Sequence, residues 1–209
     1  MTPLAKVSLH GYSVAIGPII PEDIGPLFLM RNDAFAARWD FAYRPMDCVA
    51  YAHWLDRLGV DGSTMVFAIR KLEEPQIIGF VGFGDIHAVH RSAELGVRIG
   101  NESDRGRGYG KEAISLALQY AWYSLNLNRI QLRVFSDNAH ALRAYMSAGF
   151  EQEGKMRRAA FIDGNWRDVI IMSVLRPLEE NGTSVSRNYL PSTQVGAIMT
   201  SPHSGLSVA

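Results

Sequence analysis

Apolar and polar residues alternate along two neighbouring runs in the first half of the chain, "TMVFAIRK" and "QIIGFVGFGDI". Both runs are rich in β-branched and aromatic residues, and "LEEP" separates them, which is typical of two strands joined as an antiparallel hairpin. A shorter alternation over 12–16 predicts an earlier strand. Apolar residues at helical spacing predict two helices before the hairpin, one over 23–35 and one over 49–58.

The second half of the chain alternates strands with helices. The run "AELGVRIG" predicts a strand with two different faces. One face carries Leu95, Val97 and Ile99, and the other carries Glu94, Gly96 and Arg98. A glycine-rich turn follows, and helical spacing then extends over 108–125. Next, "RIQLRVF" predicts a strand, "NAHALRAYMSAGF" predicts a short helix ended by a glycine, and "DGN" predicts the turn of a last hairpin.

This order of elements predicts an α/β (α+β) fold with one mixed, mostly antiparallel sheet around a central strand–glycine-rich turn–helix unit. At 209 residues, with 47% apolar and 20% charged residues, the chain has the size and composition of a single globular domain. We assign that domain to residues 1–178. Residues 179–209 are rich in Ser, Thr, Gly and Pro without apolar periodicity, which predicts a disordered tail.

Charge and cysteine content exclude several classes of protein. Lysine and arginine together number 21, as do aspartate and glutamate, so net charge predicts no attraction to nucleic acid or to a membrane. The single cysteine, Cys48, excludes an internal disulfide framework, and no His/Cys cluster implies a metal. The chain shows no apolar stretch of the ~20 residues that cross a bilayer and no signal-peptide core, so we expect a cytoplasmic protein.

The turn before the long helix, "DRGRGYGKEA", combines three glycines with three cations. The first N–H groups of a helix lack intrahelical partners, and the helix dipole adds positive charge there, so the turn is a candidate phosphate site. Glycine lets the main chain approach an anion without a Cβ in the way. A P-loop is excluded because Glu112 stands where Ser or Thr would hold magnesium. The dinucleotide pattern G-x-G-x-x-G is excluded because these glycines recur at every second position.

Two segments together resemble a known enzyme family. The turn fits R/Q-x-x-G-x-G/A through Arg105, Gly108 and Gly110, as does the pyrophosphate-binding loop of the GNAT superfamily of acetyl-CoA-dependent N-acetyltransferases. The segment "NAHALRAYMSAGF" resembles the same family's helix, with an opening Asn, a Tyr seven residues later and a closing Gly-Phe. The resemblance extends over about 12–175 and is closest to the branch of ribosomal-protein N-terminal, spermidine and aminosugar acetyltransferases. It implies the GNAT fold, with acetyl-CoA as co-substrate.

The resemblance also implies roles for particular residues. The main chain of Val97, Arg98 and Ile99 would pair with the cofactor arm, and an N–H there would stabilise the oxyanion of the intermediate. Asn138 would both cap its helix and hydrogen-bond the cofactor arm. Tyr145 stands at the position of the acid that protonates the departing thiolate, with plain packing as the alternative. The candidate phosphate-binding residues are Arg105, Gly106, Arg107, Gly108, Tyr109 and Gly110.

The implied reaction is direct attack of a primary amine on the acetyl thioester in a ternary complex. Making the neutral amine at pH 7 costs roughly 4–5 kcal/mol for an alkylamine and about 1 kcal/mol for an α-amino terminus. Glu94 is the candidate base or start of a proton relay, and a plain surface carboxylate is the alternative. His87 and His90 are the next candidates. Because Cys48 lies outside both motifs, we expect no covalent acetyl-enzyme.

The sequence leaves the identity of the amine acceptor open. A protein or peptide N-terminus is the first candidate, and a polyamine, an aminosugar or an amine-bearing antibiotic is the alternative. A CoA-binding sensor without turnover is a hypothesis of another class, and a homodimer is one oligomeric state that the sequence leaves open. The segment "MRNDAFAARWDF" resembles the family's acceptor-side segment. Its candidate lining residues are Arg31, Asn32, Asp33, Arg38, Trp39 and Phe41.

Overall fold

The computed structural model describes residues 9–33, 38–41, 44–58, 60, 62–74 and 76–177. Within these residues, the eight strands are β1 Leu9–His10, β2 Val14–Gly17, β3 Met65–Lys71, β4 Ile77–His87, β5 Ser92–Ile99, β6 Arg129–Phe135, β7 Glu151–Ile162 and β8 Asn165–Leu175. The α-helices are α1 Ile24–Asn32, α2 Cys48–Arg57, α3 Tyr109–Tyr123 and α4 Ala139–Ser147. Each predicted strand and helix has its counterpart, and β1 is an addition. The predicted tail lies outside the described residues.

The strands form one sheet in the order β1-β2-β3-β4-β5-β6-β8-β7. Every neighbouring pair is antiparallel except β5 and β6, which run parallel. Parallel neighbours need a long crossover, and the glycine-rich turn and α3 provide it. The predicted mixed, mostly antiparallel sheet is therefore confirmed.

Strands β5 and β6 separate beyond their first residues. They pair only from Ser92↔Arg129 to Glu94↔Gln131. Beyond that point β5 continues beside β4 as far as Ile99, and β6 continues beside β8 as far as Phe135. The two halves of the sheet consequently diverge, and a V-shaped gap opens toward the glycine-rich turn.

Helices cover both faces of the sheet. The largest apolar core lies between the sheet and α3 with α4, and it includes Leu95, Ile114, Ile130 and Tyr145. Helices α1 and α2 pack a second cluster on the opposite face. Because side chains alternate along a strand, Glu94 and Arg98 point to this second face. Among the described residues, no helix is both long enough and apolar enough to cross a membrane.

A buried ion pair fixes the start of α1 to the sheet. The side chains of Asp23 and Arg70 are bonded and only 5% and 6% exposed, and Asp23 Oδ2 also accepts the N–H of Ile20 at 2.9 Å. Removing one partner of such a pair leaves an uncompensated buried charge, which typically costs 3–5 kcal/mol. We expect Arg70→Met to lower the free energy of unfolding in urea by about 3 kcal/mol. Arg129→Met, which breaks the more exposed pair with Glu153, should cost about 1 kcal/mol or less; equal losses would contradict this account.

Candidate active site

The glycine-rich turn needs glycine for its backbone conformation. Gly106 has φ +74° and Gly108 has φ +88°, a left-handed region that residues with a Cβ rarely adopt. A Cβ built at either position would have no other atom within 4 Å. The two glycines therefore leave a bare, open main-chain surface where β5 leads into α3.

The N-terminus of α3 lacks the side-chain cap that α2 and α4 have. Asp47 caps α2 and Asn138 caps α4, each with a side-chain oxygen that accepts a first-turn N–H. Gly108 stands at the same position of α3 and has no side chain. Its carbonyl accepts the N–H of Glu112 at 3.0 Å, so the amides of residues 109–111 are the ones a ligand can reach. This end of α3 is suited to an anion.

Glu112 places a carboxylate in the first turn of α3, but the carboxylate is bound elsewhere. It accepts the N–H groups of Tyr12 and of Ser13, the latter at 3.0 Å. Gly11 makes this contact possible, because a Cβ there would collide with the carboxylate. Glu112 thus ties α3 to the turn between β1 and β2. This role could not be predicted from the sequence, because no local pattern pairs residues 100 positions apart.

The side chains of the turn divide into two groups. Arg105 donates to the carbonyl oxygens of Ile99, at 3.3 Å, and of Gly100, so its guanidinium closes the end of β5. Tyr109, a candidate phosphate-binding residue in the sequence, is partly buried and packs against the main core. Arg107 is exposed and donates to a main-chain carbonyl at 2.7 Å. Arg107 therefore places an exposed cation beside the turn, and the partly buried Arg105 is bound to the end of β5.

A buried carboxylate anchors the start of the turn. Asp104 is 6% exposed and lies 3.1 Å from the ammonium of Lys71 on β3. The hydrogen bonds to Asp104 and then to Glu74 raise the pKa of Lys71. Asp104 therefore holds the residues before Gly106 against the sheet.

The main chain of β5 presents alternate residues to the V-shaped gap. The N–H of Gly100 donates to the carbonyl of Ile78 at 2.9 Å, in the same register that pairs Val81 with Val97. In an antiparallel ladder the hydrogen-bonded positions alternate, so the main chain of Arg98 faces β4. The main chain of Val97 and Ile99 faces the gap. Three residues were expected to pair with a cofactor arm, and the main chain of two of them, Val97 and Ile99, points into the gap. The side chain of Arg98 lies on the face of the sheet that α1 and α2 cover.

Glu94 lies where the gap begins. Its carboxylate is partly exposed, and Oε1 accepts a hydrogen bond from Nε of Arg133 on β6 at 3.0 Å. Gly84 lies across from it on β4, and Gly96 follows it on the same face of β5. A Cβ at either glycine would meet no atom within 4 Å. The surface around Glu94 is therefore open main chain, where a small amine has room.

Tyr145 lies on the other face of the sheet. It is 8% exposed and packs edge-on against Phe150, with ring centroids 5.8 Å apart. Burial raises the pKa of its hydroxyl to about 12. Asn138, two turns earlier, caps α4 by accepting the N–H of Ala141 at 3.1 Å. That cap uses the side-chain oxygen, and the amide NH₂ is the group left for a ligand.

The raised pKa of Tyr145 can be measured directly. A hydroxyl with a pKa near 12 keeps its proton at every pH up to about 11, and the folded state loses the associated stability only as pH rises from about 10 through 12. The test compares the tyrosinate absorbance of the parent protein and of Tyr145→Phe as pH rises. We expect the difference between the two curves, which reports Tyr145 alone, to have its midpoint near pH 12. A midpoint near 10 would show a solvated hydroxyl.

The two histidines expected as alternative bases lie at the far end of β5. His87, the last residue of β4, stacks against His90 in the turn that follows, with centroids 4.1 Å apart, and His87 Nδ1 accepts the N–H of His90 at 3.2 Å. Seven residue steps of ~3.3 Å separate Ser92 from Ile99, so the pair is ~23 Å from the glycine-rich turn. Glu94 is the better placed candidate.

The expected acceptor-side residues divide by what they contact. Asn32 bonds the main chain of Met46 in both directions, at 3.0 and 3.1 Å, and so fixes the segment before α2. Trp39 and Phe41 pack against Phe135, with centroids 6.4 and 4.3 Å apart, and form a wall beside β6.

Charged residues of this segment all have oppositely charged partners. Asp33 lies 3.9 Å from Arg105, and Arg38 lies 3.7 Å from Asp163. Arg31 is bonded to Asp40, a residue that the sequence analysis did not single out. Asp40 also binds Arg98 of β5 at 3.0 Å.

The fold and these residues define a class of protein. Residues 14–151 match the family described as acetyltransferase (GNAT) domain, and the chain therefore belongs to the GNAT acetyltransferase family. A spermidine N(1)-acetyltransferase of Vibrio cholerae is 36% identical over 116 residues, which are 56% of this chain and 66% of that protein. A ribosomal protein uS5-alanine N-acetyltransferase of Escherichia coli is 27% identical over 161 residues, 72% of this chain and 80% of that protein.

A solved structure is similar over a longer stretch. It is a crystal structure of spermidine N-acetyltransferase from Vibrio cholerae in complex with CoA and spermine, with a TM-score of 0.73 and 26% identity, covering 78% of this chain and 95% of that chain. The match to the GNAT family confirms the resemblance seen in the sequence. The spermidine and ribosomal-protein acetyltransferases among the relatives represent two of the branches named there. By sequence, the chain spans a little under two thirds of the Vibrio cholerae relative, at 66%.

Proposed function

We propose that this protein transfers an acetyl group from acetyl-CoA to a primary amine by direct attack in a ternary complex. The observation that carries the proposal is the V-shaped gap between β5 and β6. The bare turn before α3 lies at its open end, Glu94 lies on one face beside it, and Tyr145 lies on the opposite face. A thioester in the gap would meet an amine from the first face and a hydroxyl from the second.

The residues present fit acetyl-CoA, which supplies the activated acetyl group. The main-chain amides at the start of α3 would hold its diphosphate, because they lie at a helix N-terminus and no Cβ at Gly106 or Gly108 shields them. Val97 and Ile99 would pair with its amide-bearing arm through their gap-facing main chain. The amide NH₂ of Asn138 would contact the same arm.

The residues at the gap supply the groups that the chemical step needs. Glu94, directly or through a water, takes a proton from the ammonium, and the amine nitrogen then bonds the thioester carbon. The N–H of Val97 faces the gap and would stabilise the oxyanion. The carbon–sulfur bond breaks, the nitrogen loses its second proton to water, and the sulfur leaves as thiolate. At pH 7 solvent protonates that thiolate, since a thiol has a pKa near 8.5.

Tyr145 would assist the departing sulfur chiefly by hydrogen bonding. A pKa of about 12 lies roughly 3.5 units above that of a thiol, so complete proton transfer to the thiolate would cost about 5 kcal/mol. A protonated hydroxyl in a buried site nevertheless stabilises the charge that develops on sulfur. Cys48 is exposed at the start of α2 and belongs to neither motif, in keeping with direct transfer.

The comparisons favour a small amine over the protein N-terminus that the sequence analysis placed first. A spermidine N-acetyltransferase of Vibrio cholerae is similar both by sequence and by structure, and one relative acts on the alanine of a ribosomal protein by name. We therefore propose a small amine as the acceptor and keep a peptide N-terminus as the alternative. A cytoplasmic location and a homodimer stay predictions.

Two measurements test the function. Isothermal titration with acetyl-CoA and CoA measures binding, and a thiol-release assay across small amines and peptides measures transfer. We expect both to be positive. Tight binding of acetyl-CoA without acetylation of any amine would instead support the CoA-binding sensor, and absence of binding would refute both functions.

Replacing Glu94 with glutamine should lower kcat/KM about tenfold or more at pH 7, because the amine loses its nearest proton acceptor. The loss should shrink as pH approaches the pKa of the amine, since the neutral amine then forms in solution. Glu151→Gln, an exposed change on β7, is the matched control and should behave as the parent enzyme. A Glu94→Gln enzyme with an unchanged pH profile would make Glu94 a plain surface carboxylate.

A further inference from the structure

The sheet face that carries Glu94 is lined by arginines. Arg98 follows four positions later on the same face of β5, and Arg31 reaches the same place from α1. Both guanidinium groups bind a single carboxylate, that of Asp40. Arg133 binds Glu94 from β6. Three guanidinium groups therefore share two carboxylates, and the cluster carries a net charge of about +1.

The charge of this cluster is only partly screened by solvent. The side chains of Arg98, Arg31 and Asp40 are 15%, 25% and 17% exposed, and partly buried charges are screened less than exposed ones. The charged residues near the cluster in the sequence do not make its net charge negative. Residues 24–46 contain three arginines and two aspartates, and the residues of this stretch outside the described ranges, 34–37 and 42–43, are Ala, Phe and Tyr only.

The floor between Glu94 and Arg98 is bare main chain. Gly96 lies between them on β5, and Gly82 and Gly84 lie opposite on β4. Four residue steps separate Glu94 from Arg98, which is ~13 Å along the strand. A molecule lying on this floor would have one end at Glu94 and the other at the arginines.

This arrangement disfavours a polycation. A polyamine has at least one further ammonium besides the one that reacts, and that ammonium needs a carboxylate or another acceptor. On this face Asp40 already binds two guanidinium groups and Glu94 binds one. A second ammonium beyond Glu94 would instead meet the positive charge of Arg98.

We propose that the acceptor is an amine that also bears an anionic group, a carboxylate or a phosphate, which Arg98 and Arg31 bind while the amine lies at Glu94. The inference rests on the proposed function and narrows its substrate class. It departs from the polyamine substrates named for the similar proteins. The anionic amine is either a free small molecule or a peptide N-terminus with an acidic residue next to it.

Matched amines test the proposal on the parent enzyme. In the small-molecule arm, 6-aminohexanoate is compared with its carboxamide, the diamine of the same chain length, and spermidine. In the peptide arm, a tripeptide with glutamate in second place is compared with its glutamine and lysine forms. In one arm, we expect kcat/KM for the anionic amine to exceed that for the cationic amine at least about tenfold. The arm that shows this preference tells whether the acceptor is a free small molecule or a peptide N-terminus.

Variants assign the preference to the arginines. Arg98→Gln and, separately, Arg31→Gln should raise KM for the anionic amine and bring its advantage over the neutral amide to within about threefold. The dissociation constant of acetyl-CoA should stay unchanged. Arg91→Gln, on the turn between β4 and β5 where Arg91 bonds Asn126, is the control and should keep the full preference.

Three results would overturn the proposal of an anionic amine as acceptor. Acetylation of spermidine or the diamine as efficiently as the best anionic amine overturns the inference, as does acetylation of no anionic amine by a protein that binds acetyl-CoA. An undiminished preference in both arginine variants also overturns it. Failure to bind acetyl-CoA refutes the proposed function itself.

Discussion

Replacing Gly108 with valine should raise the dissociation constant of acetyl-CoA about a hundredfold or more. A β-branched residue at φ +88° is strained, so the turn would shift, and its side chain would occupy the open space in front of the first amides of α3. Hydrogen bonds to a charged group contribute roughly 1.5–3 kcal/mol each. Loss of two such bonds to the diphosphate reduces affinity by two orders of magnitude or more.

The matched control for Gly108→Val is Gly164→Val. Gly164 has φ +76° in the turn between β7 and β8, so valine there meets the same backbone strain away from the glycine-rich turn. We expect both variants to lose stability in thermal unfolding and only the first to lose affinity in isothermal titration. Equal affinities for acetyl-CoA in the Gly108 and Gly164 variants would remove the diphosphate from this turn.

Replacing Tyr145 with phenylalanine should lower kcat about a hundredfold while the dissociation constant of acetyl-CoA stays within about threefold. The ring and its edge-on contact with Phe150 are preserved. The change therefore removes only the hydroxyl that we propose to lie beside the departing sulfur. Single-turnover measurements with acetyl-CoA bound would separate this chemical step from product release.

Tyr120→Phe provides the comparison for that variant. Tyr120 lies on α3 and packs edge-on against Phe67 with centroids 5.0 Å apart, so it loses a hydroxyl from a similarly packed aromatic residue. We expect its turnover to match that of the parent enzyme. If Tyr145→Phe is equally fast, Tyr145 is a packing residue and the sulfur departs without its help.

Local patterns in the sequence predict most of the elements. The turn between β7 and β8 is an example, because Asp163 and Gly164 both adopt positive φ, at 50° and 76°, as a two-residue hairpin turn with this pair requires. The helix that Asn138 opens has the predicted cap, and Gly149 at φ +92° ends it as expected.

Long-range pairings were not predictable from the sequence. Strand β8 lies between β6 and β7, although β7 precedes it in the chain, and no local pattern specifies this insertion. The contacts of Glu94 with Arg133 and of Asp40 with Arg98 join residues 39 and 58 positions apart. The alternation along β5 placed Glu94 on the correct face, but only the register with β4 shows that Arg98 turns its main chain away from the gap.

The structure of this protein with acetyl-CoA bound tests the central claim most directly. We expect the diphosphate within hydrogen-bonding distance of the main-chain amides at the start of α3, the arm of the cofactor beside Val97 and Ile99, and the acetyl group in the gap between Glu94 and Tyr145. Acetyl-CoA bound at another surface, with the turn around Gly108 empty, would contradict the account.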